Sequence, residues 1–477
     1  MRHADQQSEL DGLLEALFHG VLTETQAARL AELGPEAGRL AWLATNARFA
    51  QLQPQASSPS TPSGMVPVYE KPAAPRRRKR PGARDGHAGA RRQRPAEVDQ
   101  KVEHRLEVCP CCGGELQRCK RQRRRIIEDI PQQITPLVTE HTVHRDYCPN
   151  CKKHVEPVVP DAMPNATLGH NVIALSSWFH YGLGVTIGQV RDILASHLHT
   201  DITAGGLVDG WRRLAEALEP WYGQIAGEAK DSAVLHADET GWRVNGQTHW
   251  LWCFCNQRNC YYQIDRSRGS PALQKFFTEA FNGTLVSDFW RAYESVCVED
   301  RQYCLPHLLR ELLKVDEHND GIEWQAFAKQ LRRLVRDGIR LRKRSDFDPD
   351  RYLSRIRLIH RRLCQLADAV HDDGDTRRLA ARLSRHRDHL FTFLDRVGVP
   401  FDNNHAERQI RPAVIIRKNS LCNRSTEGAR TQAVLMSIYR TLRLRGHDAT
   451  QTIAAALRQL LQTGKLPSLQ VETVADG

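Results

Sequence analysis

The chain has 477 residues, of which 26% are charged and 40% hydrophobic, and it carries a net charge of +12. That balance suits a globular protein of several domains and excludes a wholly disordered one. No apolar leader follows Met1. The long uncharged run 162–190 contains Asn165, His170, Asn171, His180 and Gln189, too polar to span a bilayer. An intracellular protein with no membrane partner is therefore expected. The charge is concentrated: residues 71–125 hold 18 Lys and Arg against six Asp and Glu, and so carry the whole excess. Such density suits a polyanion, because neutralised phosphates release condensed counterions; a solvated tail is the plainer reading of the same stretch.

In chain order, Leu10, Leu13, Leu14, Leu17 and Phe18, then Ala27, Leu30, Leu33, Leu40 and Leu43, recur at helical spacing. They predict a helical N-terminal region over residues 1–52, interrupted at Gly34-Pro35. Residues 53–102 lack periodicity and read as a flexible basic linker. Its runs Arg76-Arg77-Arg78-Lys79-Arg80 and Arg91-Arg92-Gln93-Arg94 are suited to DNA phosphates. A cysteine module is expected over 103–160 and a helical DNA-binding region over 161–230. Residues 186–198 and 203–218 there have the spacing of two helices joined by a short turn, compatible with a helix-turn-helix.

From Ala233 the apolar period shortens to that of strands. Val234-Leu235-His236-Ala237-Asp238, Trp250-Leu251-Trp252-Cys253-Phe254 and Tyr261-Tyr262-Gln263-Ile264 are separated by turns at Gly246 and at 256–259. A helix is predicted over 271–281 and a further strand at Thr284-Leu285-Val286-Ser287-Asp288. This β-β-β-α-β order is the one an RNase H-like α/β core requires. The core is expected over 231–425, with a helical insertion at about 308–396 and a helical C-terminal region over 426–477. Late helices are predicted at 404–411, 428–444 and 450–462. The fold class is thus multidomain α+β, the catalytic core being preceded by a helical N-terminus and a zinc-ribbon-like module.

Two motifs carry the chemistry. Cys109-x2-Cys112 and Cys148-x2-Cys151, 35 residues apart, are the ligand type and pairing of a structural tetrahedral Zn2+ site. A pair of strands between the knuckles would fill the spacing, and Cys111, Cys119 and His154 are spare donors. The odd total of 13 cysteines argues against a disulfide framework. Asp238 and Asp288 each end or follow a strand, where neighbouring carboxylates can share a hard cation such as Mg2+ or Mn2+. Glu239 is an alternative to Asp238. Glu407, in Asp402-Asn403-Asn404-His405-Ala406-Glu407-Arg408, is the natural third acid of a two-metal site.

These residues resemble the catalytic blocks of the IS66 family of DDE transposases: His236-Ala237-Asp238-Glu239-Thr240-Gly241-Trp242, Ser287-Asp288 with Tyr293, and Asp402-Asn403-Asn404-x-Ala406-Glu407-Arg408-x2-Arg411-Pro412, followed by Arg417-Lys418-Asn419. The likeness covers roughly residues 105–465, and the cysteine pairs resemble that family's zinc-binding domain. It implies that Asp238, Asp288 and Glu407 bind Mg2+ for DNA cleavage and strand transfer. The implied partners are terminal inverted repeats, target DNA, a second copy during synapsis and small element-encoded accessory proteins, in a bacterial cytoplasm. Cys304-x2-His307 resembles a Cys/His pair found there and is read as structural. Phe289, where the family often has glycine, and Ser420-Leu421-Cys422 depart from the family pattern.

Arg408, Arg411, Arg417 and Lys418 are positioned in sequence to clamp phosphates beside Glu407. Trp242 and Trp290 suit base stacking or, more simply, core packing, and core packing is also expected of Cys253, Cys255 and Cys260. Two other readings stay open on sequence grounds. One is an RNase H-like nuclease without strand transfer, the other a domesticated zinc-containing DNA-binding regulator.

Overall fold

The computed structural model describes residues 10, 12–14, 16–17, 23–33, 35–52, 97–116, 125–127, 134–344 and 348–470. The basic runs at 76–80 and 91–94, and Cys119, lie outside them. At the N-terminus, Thr23 forms a capping box with Gln26 at the start of α1 (Glu24–Glu32), satisfying donors the helix cannot. Helix α2 (Pro35–Leu52) opens on a proline, whose missing N–H is no loss in a first turn. Leu13, Leu30 and Ala37 pack together as a small cluster.

Among its described residues the cysteine segment contains one two-stranded ladder, β1 (Asp146–Cys148) paired antiparallel with β2 (Lys153–Val155). These two strands flank the second knuckle, joined through residues 149–152; residues 117–124 and 128–133, where strands between the knuckles are expected, lie outside the described residues.

A helical region follows: α3 (His170–Ser177), continued by a π-turn at Trp178–Gly182, then α4 (Ile187–Leu198), α5 (Ala204–Ala217) and α6 (Glu219–Lys230). Thr186 and Thr203 cap α4 and α5 through their hydroxyls. Trp211 of α5 is fully buried, stacks on His180 at 5.0 Å and donates to Ser176 Oγ at 3.0 Å. The pair therefore turns its apolar side into the main core.

The centre of the protein is a five-stranded mixed sheet in the order β5-β4-β3-β6-β7. Its strands are β3 (Val234–Val244), β4 (Gln247–Cys255), β5 (Cys260–Asp265), β6 (Phe281–Ser287) and β7 (Val298–Tyr303). β3, β4 and β5 form an antiparallel meander, whereas β6 joins β3 in parallel and β7 joins β6 in parallel. Alternation along β3 divides two cores. Leu235 and Ala237 face the cluster of Trp252, Phe254, Phe276 and Tyr293; Trp242 and Val244 face Cys253, Cys255, Cys260 and the C-terminal helices.

The predicted helix 271–281 is shorter than expected. α7 (Ser270–Phe276) stops where Phe277 leaves helical geometry, and Phe281 already begins β6.

Between β7 and the last helices lie α8 (Leu305–Asp316), α9 (Ile322–Arg342), α10 (Pro349–Asp368), α11 (Gly374–His386) and α12 (Thr392–Asp395). They enclose their own core around Trp324, Leu331, Leu363, Leu379 and Phe393, which Val286 and Tyr303 join to the sheet. The fully buried Gln302 staples β7 to this unit, accepting from Phe393 N at 2.9 Å and donating to Leu390 O at 3.0 Å.

Helix α13 (Asn404–Ser420) runs well past the predicted end at 411, straight through Pro412. A proline inside a helix leaves the carbonyl four residues back without its donor. Here Arg440 Nη2 supplies one, donating to Arg408 O at 3.3 Å. α14 (Thr426–Leu444) and α15 (Ala449–Thr463) complete the chain. α14 also closes the edge of the sheet. Ser437 Oγ accepts from Tyr262 N and Thr441 Oγ1 from Cys260 N, at 2.9 and 3.1 Å, so the outer strand β5 keeps no row of free donors there. No helix among the described residues is long and apolar enough to cross a membrane.

Candidate functional site

The acids predicted from the sequence come from three elements. Asp238 lies in mid-β3, Asp288 directly follows β6, and Glu407 sits in the first turn of α13. Because β3 and β6 are parallel neighbours, their C-terminal ends lie on the same side of the sheet. Asp238 and Asp288 are both half-buried. Burial first, and then the charges of Glu239, Asp288 and Glu407, hold the Asp238 carboxyl well above the usual carboxylate range. Burial and the Glu239 charge push Asp288 up to about 7, with Glu407 adding to the effect and the Trp290 N–H and Arg268 opposing it. Glu407 thus adds to the rise of both aspartates and Asp288 to that of Asp238, with burial the leading cause in each case.

α13 is tied to β3 through Asn403. Its Oδ1 accepts from His236 Nδ1 at 2.9 Å, its Nδ2 donates to Ala237 O at 2.8 Å, and its N–H donates to Cys304 Sγ at 3.2 Å. Burial pushes His236 down to about 4, so it serves as a neutral donor at neutral pH. Asn403 is fully buried, and this clasp sets the position of Glu407, whose N–H donates to Asn403 O at 3.1 Å. The sequence marks Asn403 as part of a motif but carries no signal of this role.

Glu239 does not compete with Asp238. Strand alternation sends it to the opposite face, where it is buried and accepts from Tyr293 Oη at 2.6 Å and from Arg268 Nη2 at 3.0 Å. The Arg268 guanidinium lies over both Trp250 and Trp290, 4.6 and 3.9 Å from the ring centroids. Trp290 is thus a stacking partner inside the protein. Trp242 is buried and donates to Asn423 Oδ1 at 2.7 Å.

Of the predicted phosphate clamps, Arg408, Arg411 and Lys418 are exposed on α13. Arg417 is not available in the same way. It is half-buried and donates to Thr240 Oγ1 and Gly241 O at 2.9 and 2.5 Å.

Glu407 has one cationic neighbour, Arg310, whose Nη2 lies 3.0 Å from its Oε1; His307 Nε2 lies 3.8 Å from the same oxygen, but burial and the Arg310 charge push that imidazole down to about 4. Among the described residues, Cys304, His307 and Glu407 form the one group of three possible metal ligands whose donor atoms lie within 4.8 Å of one another. Asp238, Asp288 and Glu407 are more widely spaced than this. So are the four cysteines 109, 112, 148 and 151.

The cysteine pairs nevertheless share one local construction. A positive φ follows the second cysteine of each, +71° at Gly113 and +51° at Lys152. Backbone N–H groups of Cys111 and Cys112 turn toward Cys109, and those of Cys151 and Asn150 toward Cys148, lowering both thiols. Donors arranged in this way favour the thiolate and so fit a metal ligand. Cys111 is exposed, and His154 is exposed and packs edge-on against Tyr147.

The profile of the Transposase IS66 family matches residues 166–431, more than half of the chain, and the chain belongs to that family. The match takes in the sheet, the helical unit after β7 and all three acids, and starts after the cysteine segment. Among relatives, the chain is similar to two proteins of Sinorhizobium fredii (strain NBRC 101917 / NGR234). It is 22% identical to "Uncharacterized protein y4jD" over 417 residues, 79% of each chain. It is also 22% identical to "Uncharacterized protein y4hP" over 398 residues, 74% of this chain and 70% of that one.

Proposed function

We propose that the protein is a DDE transposase that cuts the ends of an insertion sequence and joins them to target DNA, with Asp238, Asp288 and Glu407 as its catalytic acids. The observation that carries this reading is the gathering of three acids, from β3, the end of β6 and the start of α13, in a protein whose family is that of IS66 transposases. The sheet order and the antiparallel-to-parallel change at β3 support an RNase H-like core. The excess negative charge fits Mg2+ or Mn2+, which would supply activation of a hydroxyl nucleophile and stabilisation of the leaving oxygen.

The chain's own residues do the rest. Asn403 and His236 hold α13 against the sheet and so orient Glu407. Arg408, Arg411 and Lys418 line the exposed side of the same helix, where phosphates of the scissile strand would be neutralised. The knuckles at Cys109/Cys112 and Cys148/Cys151 would close around a structural Zn2+ and, with the basic arm and the α4–α5 pair, provide affinity for element ends.

The test is an in vitro reaction on a labelled duplex that joins the element's own end to flanking DNA. Cuts leaving 3′-hydroxyls at the junction, dependent on Mg2+ and followed by transfer to a second duplex, are expected. Cutting without transfer would favour a nuclease, and binding without cutting a regulator.

A further inference from the structure

We propose that Cys304, His307 and Glu407 form a second metal site, for one zinc-class divalent cation, and that its occupancy takes Glu407 away from Asp238 and Asp288. The three donor atoms already lie within 4.8 Å of one another. Their chemistry selects the ion: thiolate, imidazole and carboxylate suit Zn2+, whereas Mg2+ prefers oxygen alone. Three protein ligands leave the fourth tetrahedral position to water.

The fold holds these donors firmly. Cys304 is buried; its N–H donates to Ser287 O at 2.9 Å and its sulfur accepts from Asn403 N at 3.2 Å. The turn from Cys304 to His307 is closed by His307 N donating to Cys304 O at 3.1 Å, and Pro306 sits in the first turn of α8 there. Cys304 and His307 therefore project from a single turn beside the first turn of α13. The nitrogen that faces Glu407 is His307 Nε2, 3.8 Å from its Oε1, and is the one a shared cation would take.

A positive charge already occupies this position. Arg310 Nη1 meets His307 Nε2 at 3.1 Å, and Nη2 meets Glu407 at 3.0 Å. The arginine side chain is half-exposed, so it can swing into solvent and yield the place to a cation. Arg310 and the metal compete for the same pair of ligands.

The consequence for catalysis rests on Glu407 being the third catalytic acid; the site itself does not. One carboxylate then serves two centres, and zinc bound to the Cys/His pair withholds it from Mg2+.

The experiment titrates the metal-free full-length protein with Co2+ in the absence of DNA, following the thiolate-to-metal absorption band. Cys304→Ser and His307→Ala are each expected to lose one equivalent relative to wild type, while the equivalent held by the four knuckle cysteines persists as an internal check on folding. Arg310→Ala, which removes the competing charge, is expected to bind that equivalent at least about tenfold more tightly. Equal stoichiometry in wild type and both ligand variants, or weaker binding in Arg310→Ala, would overturn the site. In the cleavage assay, one equivalent of Zn2+ beyond the knuckle site should suppress Mg2+-dependent cutting, with Arg310→Ala needing less zinc by the same factor. Cutting indifferent to zinc in a protein that binds it would overturn the coupling. An absence of all cutting would count against the transposase reading alone and leave the Co2+ titration to decide the site.

Discussion

Around Asp238 the neighbours are fixed by burial: Leu235, Ala237, Trp252 and Cys253 are fully enclosed, and the strand is paired on both sides. Around Cys109 and Cys148 the situation is reversed. Val108, Tyr147 and Val155 stand exposed, and among the described residues the strands amount to three paired residues on each side of one short ladder. A packed sheet can hold carboxylates together against their own repulsion, because apolar burial elsewhere stabilises the arrangement. A segment that buries little apolar surface gains order chiefly from ligands or partners, and the zinc proposed for the knuckles would be such a ligand.

The sharpest way to break that comparison is at the acids. Asp238→Asn, Asp288→Asn and Glu407→Gln should each lower the cleavage rate by about 10³-fold or more while circular dichroism stays unchanged; a loss under tenfold would remove that residue from the site. Next comes the support beneath them. Arg268→Ala leaves the Glu239 carboxylate buried on its face of the sheet without its cation, and urea unfolding should register a loss of about 3–5 kcal/mol.

The cysteine segment should respond to chelation instead. If the knuckles hold zinc as proposed, chelation or Cys109→Ser should open residues 134–160 to proteolysis and leave the melting of the sheet core within about 2 °C. A parallel fall of the core would mean that the two regions are one cooperative unit.

The smallest effect concerns pH. Asp288 titrates near 7 in the folded chain against an ordinary 3.8. A carboxyl raised on folding contributes stability that is fully present below about pH 4 and is lost as pH rises through 7. In metal-free buffer Asp288→Asn should therefore melt about 2–4 °C above wild type at pH 8. The difference should shrink at pH 5.5, and added Mg2+ should narrow it at pH 8 by favouring the wild-type carboxylate.

What the sequence makes legible here is what is local. Runs of Val, Trp and Tyr separated by Gly246 and by 256–259 mark the meander; Asp288 follows a strand end as expected, whereas β3 runs on past Asp238 to Val244. Each CxxC turn is equally local, and the second cysteine of each is followed by a positive φ. The misreadings arise where a distant residue decides. Pro412 reads as a stop, but Arg440, on another helix, supplies the donor that lets α13 continue. Arg417 reads as a free cation, but Thr240, 177 positions away, captures it. Asn403 reads as one letter of a motif, and its partners His236 and Ala237 become visible only when β3 and α13 are in contact. The union of Cys304-x2-His307 with Glu407 belongs to the same class, because it joins two chain segments that flank the whole helical unit.

The claim that the sheet gathers one metal-binding acid site, separate from the cysteine knuckles, is tested most directly by Mn2+ titration followed by electron paramagnetic resonance of the free ion. The metal-free protein should take up Mn2+, with binding weakened at least about tenfold in Asp238→Asn, Asp288→Asn and Glu407→Gln alike and unaltered in Cys148→Ser. Uptake that survives all three acid substitutions, or that falls with the cysteine instead, would contradict the account.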